Sequence, residues 1–303
     1  MKPPRIRIGT RGSQLARWQA DWVESQLQQC GCDVEQVIIE TTGDRRLDSI
    51  PTLGMQGVFT KEIQLALQRH EIDVAVHSLK DLPTLVEPGL MLACIPPRAT
   101  PWDLLLSVEG RTLENLPQGA RVGTSSRRRR AQLLAVRPDL EIVEVRGNVG
   151  TRLGKLDSGQ LDALVLAAAG LERLGLANRP AQPLRPPVML PAAGQGALGL
   201  ETRADDQSTI EQLASMHDLP TAAAVLAERT VLQVLEAGCL APVGTWGRLD
   251  ATGQLELDAV VLTVDGSRQL RASGVGDSSR PVDLGQEVAR ELLAAGAAEL
   301  MPR

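Results

Sequence analysis

Two stretches of this chain share a local pattern that restricts the fold more than any other feature. Arg5-Ile6-Arg7-Ile8-Gly9 alternates polar and apolar residues as a half-buried strand does, and Gly9-Thr10-Arg11-Gly12 then turns. Ser13 stands where it caps a helix whose apolar positions Ala16, Ala20, Val23 and Leu27 step by 4, 3 and 4. Arg121-Val122-Gly123-Thr124-Ser125-Ser126 repeats the run, the Gly-Thr turn and the helix start. A second echo follows. A helix and then Leu-Asp-Ala-Leu-Val-Leu in Leu153–Leu166 match the helix and Ile-Asp-Val-Ala-Val in Ile63–Val76.

Between these landmarks Val34–Glu40 reads as a strand, Lys61–Arg69 as a helix and Ile72–Val76 as a buried strand ending in His77-Ser78-Leu79-Lys80-Asp81. Thr41–Gly57 is long, polar and glycine-bearing, and reads as a mobile loop. Alternating strands and helices imply α/β domains with mostly parallel strands. Two such domains leave a cleft into which helix N-termini point, and that suits an anionic ligand. Arg179–Pro191 holds Pro180, Pro183, Pro186, Pro187 and Pro191, and marks a crossing between domains. After Pro220 the character changes. A helix over Thr221–Glu236, strands at Val243–Leu249, Leu255–Val264 and Arg268–Gly274, and a final helix over Val282–Leu300 make a small α+β domain.

Composition narrows the function classes. With 303 residues, 43% hydrophobic and 23% charged, the chain can bury a core and is not disordered. A net charge of −5 gives no reason to expect nucleic acid or an anionic membrane as partner. The core must be aliphatic, since the chain has no Tyr, one Phe and four Trp. The N-terminus carries no apolar signal-peptide stretch, and no window approaches the roughly 18 apolar residues of a membrane span. Cys30, Cys32, Cys94 and Cys239 with three His form no metal-ligand spacing, so no metal is expected and a reducing cytoplasm fits.

Four motifs carry chemistry. His77-Ser78-Leu79-Lys80-Asp81-Leu82-Pro83 brings Ser, Lys and Asp to a strand end, where α/β folds place ligand chemistry, although a lone Lys-Asp pair is more often a charged turn. Val122-Gly123-Thr124-Ser125-Ser126 leads into Arg127-Arg128-Arg129-Arg130. Hydroxyls and free N–H groups at a helix start bind oxyanions, and guanidinium forks grip carboxylates. Consecutive helical residues lie about 100° apart. Arg128 and Arg129 are therefore expected to face the cleft and Arg127 and Arg130 the solvent. Arg146-Gly147-Asn148-Val149-Gly150-Thr151-Arg152 sets two Arg around a Gly-Asn turn, and Arg173 follows in a weaker context. Gly238-Cys239-Leu240-Ala241-Pro242 puts a Cys among small residues on a loop, either as a reactive thiolate or as a small buried hydrophobe.

These motifs, in this order and approximate spacing, resemble those of the porphobilinogen deaminase family. So do Gly9-Thr10-Arg11-Gly12-Ser13-Gln14-Leu15-Ala16 and Pro191-Ala192-Ala193-Gly194-Gln195-Gly196-Ala197. The likeness runs from Ile6 to about Leu300. It implies two similar α/β domains like those of periplasmic binding proteins around a cleft, plus a small α+β domain. The boundaries expected are 1–96 with 197–216, 102–191 and 220–303. It also implies a transferase of tetrapyrrole biosynthesis that builds a dipyrromethane from its own substrate and ties it by a thioether to Cys239. Four porphobilinogens are then added, four ammonias are lost, and hydroxymethylbilane is hydrolysed off.

On this resemblance Asp81 is the catalytic carboxylate, with Lys80 beside it. Ser78, Lys80, Asp81, Thr124, Ser125, Ser126, Arg128, Arg129, Arg146, Gly147 and Gln195 match cofactor-binding positions. Arg11, Ser13, Gln19, Phe59, Asn148, Arg152 and Arg173 match substrate-binding positions. The cations suit a growing chain with two carboxylates on each pyrrole. A carboxylate beside a pyrrole N–H stabilises positive charge there and relays protons. The chain is expected to be a cytoplasmic monomer that binds neither nucleic acid nor membrane. It departs from the family at Gly54-Met55-Gln56-Gly57-Val58-Phe59, where a loop Lys is missing, and at Arg127, where the family often has Leu.

Three rival readings make different demands. A solute-binding protein would carry an export signal and no special Cys. A nucleic-acid binder would favour a basic domain with stacking aromatics. A Cys-His hydrolase would need a His near Cys239, and the strongest candidate, His77, belongs to another motif.

Overall fold

The computed structural model describes residues 4–41, 60–238 and 241–301. Along the chain come β1 (Arg5–Thr10), α1 (Gln14–Gln29), β2 (Asp33–Ile38), α2 (Lys61–Gln68), β3 (Val74–Ser78) and β4 (Leu90–Cys94). Next are β5 (Asp103–Ser107), β6 (Arg121–Gly123), α3 (Arg127–Val136), β7 (Glu141–Val143), α4 (Val149–Asp157), β8 (Ala163–Ala167), α5 (Ala168–Arg173) and β9 (Ala181–Leu184). The chain closes with β10 (Leu198–Arg203), α6 (Gln207–Leu213), α7 (Leu219–Val234), β11 (Val243–Leu249), β12 (Leu255–Leu262), β13 (Gln269–Gly276), α8 (Pro281–Ala294) and α9 (Ala297–Leu300).

The strands form two five-stranded sheets and one three-stranded sheet. In the first, β1 lies parallel between β2 and β3, and β10 runs antiparallel between β3 and β4. In the second, β6 lies parallel between β7 and β8, and β5 runs antiparallel between β8 and β9. Order and direction are the same in both. The register is the same too: Ile8 pairs with Val74 and Gly9 with Ala75, as Val122 pairs with Ala163 and Gly123 with Leu164. The faint repeat in the sequence is therefore a repeat of topology.

The described chain parts into two compact units, one formed by residues up to Ala99 with Ala197–Ala222, the other by Thr100–Gly196 with Ala223 onward. The first holds the first sheet, so this α/β body is discontinuous: its strand β10 arrives after the second sheet is complete. Its core joins Ile6, Ile8, Val23 and Leu27 to Val74, Val76 and Leu200. The second unit holds the other two sheets. The antiparallel sheet β11-β12-β13 has a core of its own, built from α7, α8 and α9 with Leu257, Ala259 and Val261. Ala131 of α3 and Leu190 pack on Val260 and Leu262, which joins this α+β part to the second α/β sheet.

Local chemistry accounts for the elements. Ser13, Ser126 and Asn148 accept the N–H of Ala16, Arg129 and Thr151 and cap α1, α3 and α4. In α1 the buried residues are Gln19, Ala20, Val23 and Leu27, while Ala16 is half-buried.

Most expected ends agree within two residues, and two expectations need correction. The expected helix Val282–Leu300 is two helices, α8 and α9, because Gly296 takes a left-handed φ of 97° that breaks the helical run. The proline-rich stretch is not the crossing between bodies. Ala181–Leu184 within it is the edge strand β9 of the second sheet, where Pro183 is tolerated, and the passage to the first unit follows Gly196. Apart from Thr41, the expected loop Thr41–Gly57 lies outside the described residues, as do Gln56 and Phe59. No helix among the described residues is long and apolar enough to cross a membrane.

Candidate active site

In the first unit the site residues gather where β3 ends. Ser78 closes the strand, and Leu79–Asp81 form a single 3-10 turn. The Leu79 N–H donates to the carbonyl of Ala197 at 3.0 Å, which ties the turn to the start of β10. Lys80 is half-buried and Asp81 exposed. The Gln19 Nε2, buried on α1, donates to Ser78 Oγ at 2.7 Å. Arg11 is half-buried in the turn after β1. Ser13 spends an oxygen lone pair on the Ala16 N–H at 3.3 Å and keeps its hydroxyl proton for another partner.

The second unit places the other set at equivalent strand ends. Thr124 follows β6, and its Oγ1 accepts from the Ser126 N–H at 3.2 Å. Ser125 Oγ donates to the Val145 carbonyl at 2.5 Å. Gly147 has a φ of 105°, and a Cβ there would stand 2.9 Å from the Thr151 side chain, so only glycine fits. Asn148 Oδ1 accepts from the N–H and hydroxyl of Thr151 at 2.9 and 3.0 Å. Arg152 Nε donates to the Gly147 carbonyl at 2.8 Å, and Arg146 Nε to Glu144 Oε1 at 2.8 Å. Arg173 Nη2 donates to the Gly196 carbonyl at 2.7 Å. Burial lowers the Arg173 pKa from its ordinary value, with Glu172 opposing the shift.

Of the four successive arginines, Arg128 and Arg129 turn inward, Arg130 is exposed and Arg127 half-buried. The carboxylate they meet is Asp103, the fully buried first residue of β5. Arg128 Nη1 reaches Asp103 Oδ2 at 2.8 Å, and Arg129 Nε and Nη2 reach Oδ1 at 2.8 and 2.7 Å. Gln195 Nε2 donates to the same Oδ1 at 3.1 Å and to the Pro101 carbonyl at 2.7 Å. One acid thus collects three of the residues singled out above. Burial lowers the pKa of Arg128, and the attraction of Asp103 works against that. Two guanidiniums meet this one carboxylate, and each also donates to a backbone carbonyl, Arg128 to Leu190 at 2.7 Å and Arg129 to Val165 at 3.0 Å.

Sequence reasoning missed Asp103. The available signal was an acid heading an apolar strand, Asp103-Leu104-Leu105-Leu106, where an unpaired charge is costly. It also missed Glu201, buried in β10 and bonded to His77 and Gln64. Cys239 lies outside the described residues. Among the described residues no group of three or more His, Cys, Asp or Glu is placed to hold a metal.

Two family models match the chain. The porphobilinogen deaminase dipyrromethane cofactor binding domain covers residues 6–211, and the porphobilinogen deaminase C-terminal domain covers 222–294. The porphobilinogen deaminase of Desulforudis audaxviator is 51% identical over 301 residues, covering 98% of this chain and 97% of the relative. That of Syntrophotalea carbinolica is 47% identical over 304 residues, covering 99% and 96%. With matches along nearly its whole length, the chain belongs to the porphobilinogen deaminase family.

Proposed function

We propose that the family's activity is carried in this chain by Asp81, with Lys80 beside it, and that Cys239 holds the dipyrromethane through a thioether. The enzyme is then a transferase that joins four porphobilinogens head to tail, releases one ammonia at each addition, and frees hydroxymethylbilane by adding water. The supporting observation is the turn Leu79–Asp81, which presents an exposed carboxylate and a half-buried ammonium at the carboxyl end of a parallel strand. Loss of ammonia and coupling both put positive charge on or near a pyrrole nitrogen. A carboxylate held there stabilises that charge and moves the N–H proton.

The donor set of the second unit suits a group bearing several carboxylates. Thr124, Ser125 and Ser126 surround the start of α3, where Arg128 and Arg129 meet Asp103. Arg146 and Arg152 flank Gly147. When bound, the dipyrromethane supplies the pyrrole to which incoming units are joined. Arg11, Ser13, Gln19, Asn148 and Arg173 are the further polar contacts for substrate on this reading. The inward turn of Arg128 and Arg129 removes half of the arginine run from any nucleic-acid face. Cys30, Cys32 and Cys94 are free thiols, which suits a reducing cytoplasm.

Intact mass tests the attachment. Protein purified from cells should exceed its sequence mass by a two-pyrrole adduct, and Cys239→Ser should fold without it. An adduct and full activity in that variant would sink the assignment. Asp81→Asn, measured on adduct-bearing protein, should lower kcat on the order of 10²-fold or more with a smaller effect on KM. A kcat within about threefold of the parent removes Asp81 from the chemistry, since deleting one electrostatic stabiliser costs far more.

A further inference from the structure

A buried polar network adjoins the turn that carries Asp81. His77, next to Ser78 in β3, has its Nε2 3.2 Å from Glu201 Oε2. Glu201 Oε1 accepts from Gln64 Nε2 of α2 at 3.0 Å. The three residues are 4%, 2% and 5% exposed. Successive residues of a strand point to opposite faces. His77 is therefore held on the α2 face of β3, while Gln19 holds Ser78 on the other. The last two residues of the strand are clamped from both sides, and the turn carrying Lys80 and Asp81 begins at the next residue.

The second sheet shows what the fold asks for at the same place. Its register makes Ala75 equivalent to Leu164, and His77 therefore to Leu166. Ala75 pairs with Glu201 where Leu164 pairs with Leu106. The helix ends match as well: Arg69, His70 and Glu71 donate to Leu65, Leu67 and Ala66, as Ser158, Gly159 and Gln160 donate to Gly154, Leu156 and Lys155. That makes Gln64 equivalent to Leu153. The counterparts of Gln64, His77 and Glu201 are thus Leu153, Leu166 and Leu106, which lie together in one apolar core. The architecture is satisfied by three leucines. A buried polar network in their place is not favoured for stability, since well-packed apolar residues of similar volume serve as well or better. In the second sheet, β8 runs straight on into α5; in the first, β3 ends in the turn that bears Asp81.

We propose that His77, Glu201 and Gln64 are positioning residues that fix the end of β3 and so the placement of Asp81. The inference rests on the reading of Asp81 as the catalytic carboxylate. The network sets where the turn starts. A displacement of about 1 Å at such a site costs up to 10²-fold in rate.

The test copies the second sheet into the first: Gln64→Leu/His77→Leu/Glu201→Leu, compared with the parent on protein of equal adduct mass. The expected triple variant unfolds at no lower a temperature, keeps KM within about threefold and loses kcat by roughly 10- to 100-fold. Asp81→Asn is measured alone and in the triple background. If the network acts through Asp81, the combined variant is no slower than Asp81→Asn alone. A triple variant with parental kcat overturns the inference, as does a kcat loss that simply adds to that of Asp81→Asn. If Asp81→Asn itself turns over normally, the catalytic reading fails instead, and the two failures are told apart. Should the triple variant not fold, Glu201→Gln carries the test, because it keeps the shape and replaces the carboxyl group by an amide. A lowered kcat with unchanged thermal stability supports positioning, and an unchanged kcat refutes it.

Discussion

The sheets β2-β1-β3-β10-β4 and β7-β6-β8-β5-β9 agree in strand order, direction and register, yet they bury their acids at different places. In the first, the inserted antiparallel strand pairs Leu198 with Ser78 and Glu201 with Ala75. In the second, it pairs Asp103 with Ala167 and Leu106 with Leu164. Each acid stands where the sister sheet has a leucine. Other features are copied closely. Arg7 donates from its backbone N–H, Nε and Nη2 to Asp73 at 2.9, 3.0 and 2.8 Å, and Arg121 does the same to Asp162 at 2.7, 3.2 and 3.2 Å. A Cβ at Gly9 or Gly123 would stand 2.2 or 2.7 Å from the Cδ1 of Ile72 or Leu161. What both sheets share serves the architecture. Asp103 under Arg128 and Arg129, and Glu201 beside His77, each belong to one sheet alone.

The largest effect is expected at Asp103. Asp103→Leu installs the residue that the first sheet has there and leaves Arg128 and Arg129 buried without their carboxylate. Losing one partner of a buried ion pair costs about 3–5 kcal/mol. Urea unfolding should show a loss of that order, and one below about 1 kcal/mol would mean that the two guanidiniums find other partners or water.

A smaller, graded contrast lies in the copied Arg–Asp clasps. The Asp73 side chain is 14% exposed and that of Asp162 38%. Burial opposes ionisation of Asp73, but hydrogen bonds from the Arg7 side chain and backbone and from Arg203 outweigh it and hold its carboxyl below the ordinary value of 3.8. For Asp162 the hydrogen bonds from the Arg121 side chain and backbone dominate, in the same direction. A carboxyl whose folded pKa is lowered adds stability that is complete above the unfolded value and disappears as pH falls through the folded one. Asp73→Asn should cost about 1.5–3 kcal/mol at neutral pH, the worth of charged hydrogen bonds at a part-buried site. Asp162→Asn should cost less than about 1 kcal/mol because solvent screens it. Thermal melts from pH 7 down to about 3 should show Asp73→Asn with the flatter acid limb. Equal effects from the two variants would contradict the burial argument.

The smallest contrast is a turn. His70 takes a φ of 57° where the second sheet has Gly159 at 72°. His70→Gly relieves that strain and loosens the unfolded chain, so the net gain should stay under about 1 kcal/mol. Gly159→His should lose about 1 kcal/mol, since a side chain in left-handed backbone is disfavoured. If Gly159→His costs nothing in calorimetry, the two turns are not equivalent.

What could be read from the residues alone is local. The strand and helix runs, the Ser13 cap, the Gly-Thr turns and the repeat follow from neighbours within a few positions, and the motifs of the family are contiguous runs of the same kind. Helix ends were less legible, since a left-handed glycine such as Gly296 looks like any other until its φ is set. The tertiary structure decided the rest. It chose β10 and β5 as the strands that complete each sheet, although the chain carries each into place from outside the parallel core. It set Asp103 on Arg128 and Arg129, and Glu201 on His77, across 25, 26 and 124 residues. An acid in a strand reads as a solvated edge when only its neighbours are known. Whether it is buried, and against which cation, depends on which distant strand lies beside it, and hydrogen bonding between strands is settled only when the sheet is assembled.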